Sequence, residues 1–159
     1  MESSAIFSDC GRYRYFLSRR WADGEGCVFV GLNPSTADSS RNDATVRKCM
    51  HFARSWGFAG ISLVNLYARR CRYPQALATS DDPVGPDNDL WLARIINHAP
   101  IAIAMWGNHG ARTYNKGIRR DILMMKSRDE WHCLGQTKLR APKHPLYLPK
   151  ATPLHPFSL

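Results

Sequence analysis

Four short segments carry side chains suited to chemistry: Gly31-Leu32-Asn33-Pro34-Ser35, Leu63-Val64-Asn65-Leu66, Trp106-Gly107-Asn108-His109-Gly110 and Ala141-Pro142-Lys143-His144-Pro145-Leu146-Tyr147. Each of the first three sits at the end of an apolar run, so each reads as the tip of a strand. The groups they offer are amides, a hydroxyl and imidazoles, with few charges. A pocket built from them suits a neutral planar ligand such as a nucleobase, whose edge presents donors and acceptors side by side.

Taken singly, each segment has two readings. Gly31 lets the backbone bend or approach a ligand closely, with Leu32 beside it, and Pro34 stiffens the turn. Asn33 can hold a water in place, or bond its own backbone as turn asparagines do. Asn65 ends an apolar strand, where an amide is costly unless paired. It satisfies a neighbouring loop, or it reads the Watson–Crick edge of a pyrimidine with one donor and one acceptor. Trp106, Gly107, Asn108, His109 and Gly110 form a strand-to-helix turn with exposed amides, a phosphate cradle. His109 there meets a phosphate or stays in solvent. An imidazole at His144, aimed at a carbonyl oxygen, would stabilise negative charge developing on it. Lys143 closes a basic run from Lys138.

The elements that must position these groups follow from the apolar pattern. Cys27–Val30 is a continuous apolar run, the mark of a strand buried on both faces; Ile61–Leu66 and Ile101–Trp106 read as further buried strands, and Trp131–Leu134 as a shorter fourth. Asp43 caps a helix with Val46, Met50, Phe52, Ala53 and Trp56 on one side, and Gly57 ends it. A proline-containing loop from Ala68 leads to Asp87, which caps a helix over Leu90–His98. A further helix is expected from about Ala111 to Lys126. Residues 11–22 are aromatic and basic and read as an edge strand or short hairpin. The core runs over 27–149, and a proline-rich tail over 150–159 is either an ordered loop packed on the domain or a free end. One domain, 1–159, is expected: an α/β three-layer sandwich around a central, mostly parallel four-stranded sheet. Ligands on such sheets bind beyond the carboxyl ends of the strands, where the candidate segments fall.

Composition narrows the class. Lys and Arg number 22 against 13 acids, a formal net charge of +9 over 159 residues. Such an excess is a footprint of polyanion binding, because neutralised phosphates release counterions. No stretch approaches the ~20 apolar residues of a membrane span. The start, Met1-Glu2-Ser3-Ser4, has no basic stretch followed by an apolar run, so no signal peptide is expected and the protein reads as cytoplasmic; a monomer is also expected. Five cysteines lie scattered, without a C-x-x-C pair, and read as reduced thiols rather than a structural metal site.

In order along the chain, the four segments resemble the motifs of the uracil-DNA glycosylase superfamily. GLNPS resembles its first motif, written GQDPY in the uracil-specific branch and GINPG in the mismatch-specific branch. LVNL resembles the LLLN strand tip, WGNHG the WGSHA turn, and APKHPLY the HPS-containing segment. The pattern GLNPSTAD, a helix and a DPVGPDND loop is also similar to a bacterial and phage family of unknown function placed in that superfamily.

The resemblance implies a monofunctional DNA glycosylase that flips a pyrimidine out of DNA, cleaves its N-glycosidic bond and leaves an abasic site, with no metal or organic cofactor. Asn33 would orient the attacking water and Asn65 recognise the base. Gly31, Leu32, Pro34 and Ser35 would wall the base, and His144 would bond its O2 as the bond breaks. Trp106, Gly107, Asn108, His109 and Lys143 would face DNA, and Leu146, Tyr147 and Leu148 would wedge into the vacated stack. Two departures matter. Asn33 replaces the carboxylate of the uracil-specific branch, so Asp38 or Asp43 would have to supply one. Ser35 replaces the Tyr that blocks pyrimidine C5, leaving room for hydroxymethylated or glycosylated bases such as those of phage DNA, a role in defence. The rival readings are a non-catalytic module sensing flipped bases and a hydrolase of free nucleotides.

Overall fold

The longest apolar runs become the middle of a sheet. In the computed structural model, which describes residues 1–114 and 116–159, β3 (Gly26–Gly31) and β4 (Gly60–Asn65) pair in parallel. β5 (Ala102–Ala104) joins the other edge of β3, and β6 (His132–Cys133) joins β5, both in parallel. Residues along β3 alternate between two hydrophobic clusters. Cys27 and Phe29 enter one with Ile61, Leu63 and Ile103, while Val28 and Val30 enter the other with Val64, Ala102 and Ala104. Both faces are therefore apolar, which erases the polar–apolar alternation of a one-sided strand.

The sheet is larger than the four strands expected. β2 (Arg14–Arg20) lies antiparallel against β4, β1 (Glu2–Phe7) lies antiparallel against β2, and β7 (His155–Pro156) against β6. The protein is thus α/β with a single mixed sheet of seven strands in the order β1-β2-β4-β3-β5-β6-β7. Residues 11–22 are not a hairpin in themselves, because β2 takes its partners from Glu2–Phe7 and from β4. The tail is packed: the buried Phe157 donates its N–H to the Trp131 carbonyl at 2.9 Å.

α1 (Ala44–Ser55) starts as expected, with Asp43 Oδ1 accepting the Val46 N–H at 2.9 Å. Its buried Val46, Cys49, Met50 and Phe52 recur at helical spacing and join the Phe29 cluster. Gly57, at φ +84°, closes it. α2 (Asn88–Ile96) follows Asp87, whose side chain makes no cap. Instead the fully buried Asn88 donates Nδ2 to the carbonyls of Asn65 and Leu66 at 3.0 and 3.2 Å, tying the helix start to the tip of β4. Leu92 and Ile96 of α2 and Met124 of α3 (Arg120–Met125) belong to the Val30 cluster.

The helix expected over 111–126 is replaced by a four-residue 3-10 turn, Asn108–Ala111, and the short α3. Lys116 and Gly117 take φ values of +52° and +78°, left-handed conformations that a right-handed helix cannot contain; Asn115, in the same stretch, lies outside the described residues. Among the described residues no helix is long and apolar enough to cross a membrane.

Candidate functional site

The carboxyl ends of β3, β4 and β5 open onto a cleft of about 680 Å³ that draws walls from all four candidate segments and from the start of α1. Gly31, Leu32, Asn33, Pro34, Ser35, Asn65, Trp106, Gly107, Asn108, His109, His144, Leu146 and Tyr147 all line it, as does Asp43. Asp38, Lys143 and Leu148 do not line it.

Asn65 is the most informative of these side chains. It is 5% exposed, and its side-chain amide makes no hydrogen bond with any described residue. Its polar atoms are not among the fully enclosed, unpaired atoms of the described residues, so the amide is open to the cleft, where a water or a ligand edge can pair with it. The Asn65 amide is no loop tie; Asn88 performs that task on the Asn65 carbonyl. Gly31, paired with Asn65 across the sheet, makes the space, since a Cβ there would stand 2.7 Å from Asn65 Oδ1.

Asn33 is oriented by its own donor. Its Nδ2 gives hydrogen bonds to the Cys71 carbonyl at 2.8 Å and the Pro34 carbonyl at 3.1 Å. Two carbonyl acceptors define which end of the amide is nitrogen and leave Oδ1 as the end able to accept from a water.

The structure separates the two acids. The Asp38 carboxylate closes a local turn, accepting the backbone N–H groups of Ser40 and Arg41 at 2.9 and 2.8 Å. Those bonds to Ser40 and Arg41 hold its pKa below the ordinary value and engage the carboxylate in the turn, away from the cleft lining. Asp43 caps α1 and lines the cleft as well.

Two arginines of β2 hold the loop that delivers Asp43. Arg19, 2% exposed, donates Nε to Asn42 Oδ1 at 2.9 Å and its guanidinium to the carbonyls of Asp38 and Arg41. Arg14, 3% exposed, donates Nη1 to the Ala37 carbonyl at 3.0 Å and also lines the cleft. Burial lowers the Arg14 pKa to about 10, against the opposing pull of Asp43, so the group stays cationic at neutral pH. Sequence reasoning missed both roles, since an arginine in a basic strand carries no sign that it is buried.

The third and fourth segments are joined by a bond from the Gly107 N–H to the Pro142 carbonyl at 2.9 Å. Gly107 takes φ +68°, and a Cβ at Gly110 would fall 2.0 Å from the Trp106 ring, so both positions need glycine. Trp106 is mainly a core residue, packed edge-on against Trp131 and Phe157. Asn108 accepts a bond from Thr137 Oγ1 at 2.6 Å, and His109 Nδ1 is 3.1 Å from the Tyr114 hydroxyl. Without the long helix expected after it, this turn offers backbone amides but no extended helix dipole.

His144 stands at the rim. Its Nδ1 accepts the Leu146 N–H at 3.2 Å, so the proton of the neutral ring sits on Nε2. Although the side chain is exposed at the rim, the cleft wall behind it desolvates the ring enough to lower its pKa below the ordinary histidine value, and the Asp43 carboxylate offsets part of that. At pH 7 the ring is neutral and Nε2–H is its free donor. Tyr147 follows, 92% exposed and at φ +71°, a left-handed conformation that a non-glycine residue adopts at a cost. Leu148 turns inward to pack on the Phe29 cluster. The Lys143 side chain lies along Gly135, and its N–H donates to the Gly135 carbonyl at 2.9 Å. Arg72 and Tyr73, which also line the cleft, come from the Ala68–Asp87 loop, and the sequence does not single them out as site residues.

A family model described as "Protein of unknown function (DUF1643)" matches residues 14–146. The chain belongs to this family. No curated protein and no solved structure matches it. The DUF1643 match begins at the buried Arg14 and ends at Leu146, so it takes in the whole cleft lining except Tyr147.

Proposed function

We propose that the cleft receives a pyrimidine base flipped out of DNA and that the protein hydrolyses its N-glycosidic bond, a DNA glycosylase of the uracil-DNA glycosylase superfamily. The observation that carries this reading is the convergence, on one cleft, of an unbonded buried amide (Asn65), a neutral imidazole donor (His144), an oriented amide oxygen (Asn33) and a carboxylate (Asp43). The parallel strands β4-β3-β5-β6, with α1 packed into one apolar cluster and α2 and α3 into the other, are consistent with the three-layer sandwich of that superfamily.

The chemistry follows from the groups. Asn65 pairs with the base edge. As the C1′–N1 bond lengthens, the bonding electrons leave with the base, and His144 Nε2–H donates to the O2 that gathers the charge. The sugar becomes oxocarbenium-like. A water held by Asn33 Oδ1 adds to C1′ and gives its proton to the Asp43 carboxylate; the base anion takes up a proton from solvent and Asp43 returns its own, completing hydrolysis to an abasic site and a free base. Ser35 leaves room beside C5, which favours 5-substituted pyrimidines.

One observation favours a second reading, a non-catalytic sensor of flipped bases: Asn33 spends its donor on the Cys71 and Pro34 carbonyls and brings no charge to the water. Incubating labelled oligonucleotides that carry uracil, 5-hydroxymethyluracil or 5-hydroxymethylcytosine with excess protein, followed by alkali, separates the two. Strand scission at the modified position only after alkali supports the glycosylase. Tight binding with no alkali-labile site in any substrate supports the sensor.

A further inference from the structure

Beside the cleft runs a second groove of about 360 Å³, lined by Gly11, Arg12, Ser35, Thr36, Arg69, Arg70, Cys71 and Arg72. Four arginines and, among the described residues, no carboxylate line it. The ion pairs of the described residues are Arg41–Asp38, Arg119–Asp121 and Arg120–Asp89, so none involves these four. The interactions that position the arginines are uncharged. Arg70 donates Nη1 to the Gly11 carbonyl at 3.1 Å and lies over the Phe7 ring, and Arg72 lies over the Tyr73 ring. The backbone beneath is tied down. The Cys71 N–H bonds the Pro34 carbonyl at 3.1 Å, the Arg70 N–H bonds the Arg12 carbonyl at 2.9 Å, and Tyr13 bridges Arg69. Four arginines lining one groove with no carboxylate among its lining residues favour an anion there. Guanidinium forks match phosphate oxygens in pairs, and the Ser35 and Thr36 hydroxyls add neutral donors.

The groove is not separate from the cleft: Ser35, Cys71 and Arg72 line both. We propose that it is a phosphate subsite, binding the phosphodiester linkage next to the nucleotide whose base enters the cleft. The inference rests on the base-flipping reading for the identity of that neighbour. It assigns to Arg12, Arg69 and Arg72 the grip on one strand, with Ser35 as the hinge between base and backbone. A terminal phosphate of a free nucleotide presents similar chemistry, and the test separates the two sources.

Arg12 and Arg69 are the residues to change, because neither side chain makes an ion pair or hydrogen bond with the described residues that a substitution would break. The doubly substituted protein, Arg12→Gln with Arg69→Gln, should melt with the parent. Its affinity for a fluorescent single-stranded 10-mer should fall about tenfold at low salt. The slope of log affinity against log salt should flatten by roughly 0.7, the amount for the one phosphate that is no longer neutralised. A neutral methylphosphonate at the linkage flanking the target nucleotide should weaken the parent and leave the variant unchanged. Parental affinity and slope in the variant would overturn the proposal. A nucleoside monophosphate that competes as well as the 10-mer would overturn the assignment to a strand. The binding readout is independent of cleavage, so a flattened slope with no base release would leave the subsite standing and remove the glycosylase reading.

Discussion

Replacing Gly31 by alanine should perturb the proposed base recognition without touching the base. Gly31 has an ordinary strand backbone, so an alanine meets no torsional penalty and gains about 0.4–1 kcal/mol from a stiffer unfolded chain. Its methyl group, however, would stand 2.7 Å from Asn65 Oδ1 and 3.3 Å from the Met105 Cε. The methionine end can swing away. The amide must retreat by about 0.7 Å to restore an ordinary 3.4 Å separation. A hydrogen bond of ~2.9 Å from Asn65 to a base edge would then stretch to about 3.6 Å, beyond useful reach. Two such neutral bonds are worth about 1–3 kcal/mol together, a loss of roughly 5- to 150-fold in kcat/KM. The assay is single-turnover base release under subsaturating enzyme, beside a thermal melt that should shift by no more than a few degrees. The double variant Gly31→Ala with Asn65→Ala should be no worse than Asn65→Ala alone, since the amide that alanine displaces is already gone. Parental kcat/KM in Gly31→Ala, or full additivity in the double variant, would refute the idea that Asn65 holds the base.

The remaining expectations address the chemistry. His144→Ala should slow the single-turnover step by about 100- to 1,000-fold with little change in DNA affinity, as when other oxyanion donors are removed, and an unchanged rate would dismiss the role. The parent rate should hold level at neutral pH and fall as pH drops through the lowered His144 pKa, because protonated Nδ1 can no longer accept the Leu146 N–H. That acid limb should shrink in His144→Ala, and an identical profile in both proteins would contradict the neutral-imidazole assignment. Asp43→Asn keeps an acceptor for the Val46 N–H and so keeps α1, yet should cost about 10²- to 10⁴-fold if the carboxylate takes the proton of water. Ser35→Tyr should harm 5-substituted substrates more than plain uracil, and equal loss on both would count against the steric argument.

Much of this site is visible in the sequence because its parts are local. β3, β4 and β5 announce themselves as largely apolar runs, since the sheet buries both faces there, and their ends fall where Asn33, Asn65 and Trp106 stand. Asp43 is visible as a cap because the three-residue step to Val46 is short-range geometry. What escapes is tertiary. Choosing Asp43 over Asp38 depends on how Arg14 and Arg19 gather the loop between them, and a buried arginine looks like a surface one in a string of letters. β1 is half exposed at the sheet edge, and β7 is two residues long, so neither leaves a period to read. The helix expected over 111–126 fails at Lys116 and Gly117, where the backbone turns left-handed. The arginine groove draws on residues 12, 35–36 and 69–72, which only the folded sheet brings together.

The central claim is tested most directly by mass spectrometry of free bases released from a panel of DNAs carrying cytosine, uracil and their hydroxymethylated and glycosylated forms, with mononucleotides alongside. The parent should release one pyrimidine, most readily a 5-substituted one, from DNA and not from mononucleotides, leaving abasic sites in equal amount. His144→Ala should release the same base at least a hundredfold more slowly. Folded, DNA-binding protein that frees no base from any member of the panel, or that acts only on mononucleotides, would contradict it.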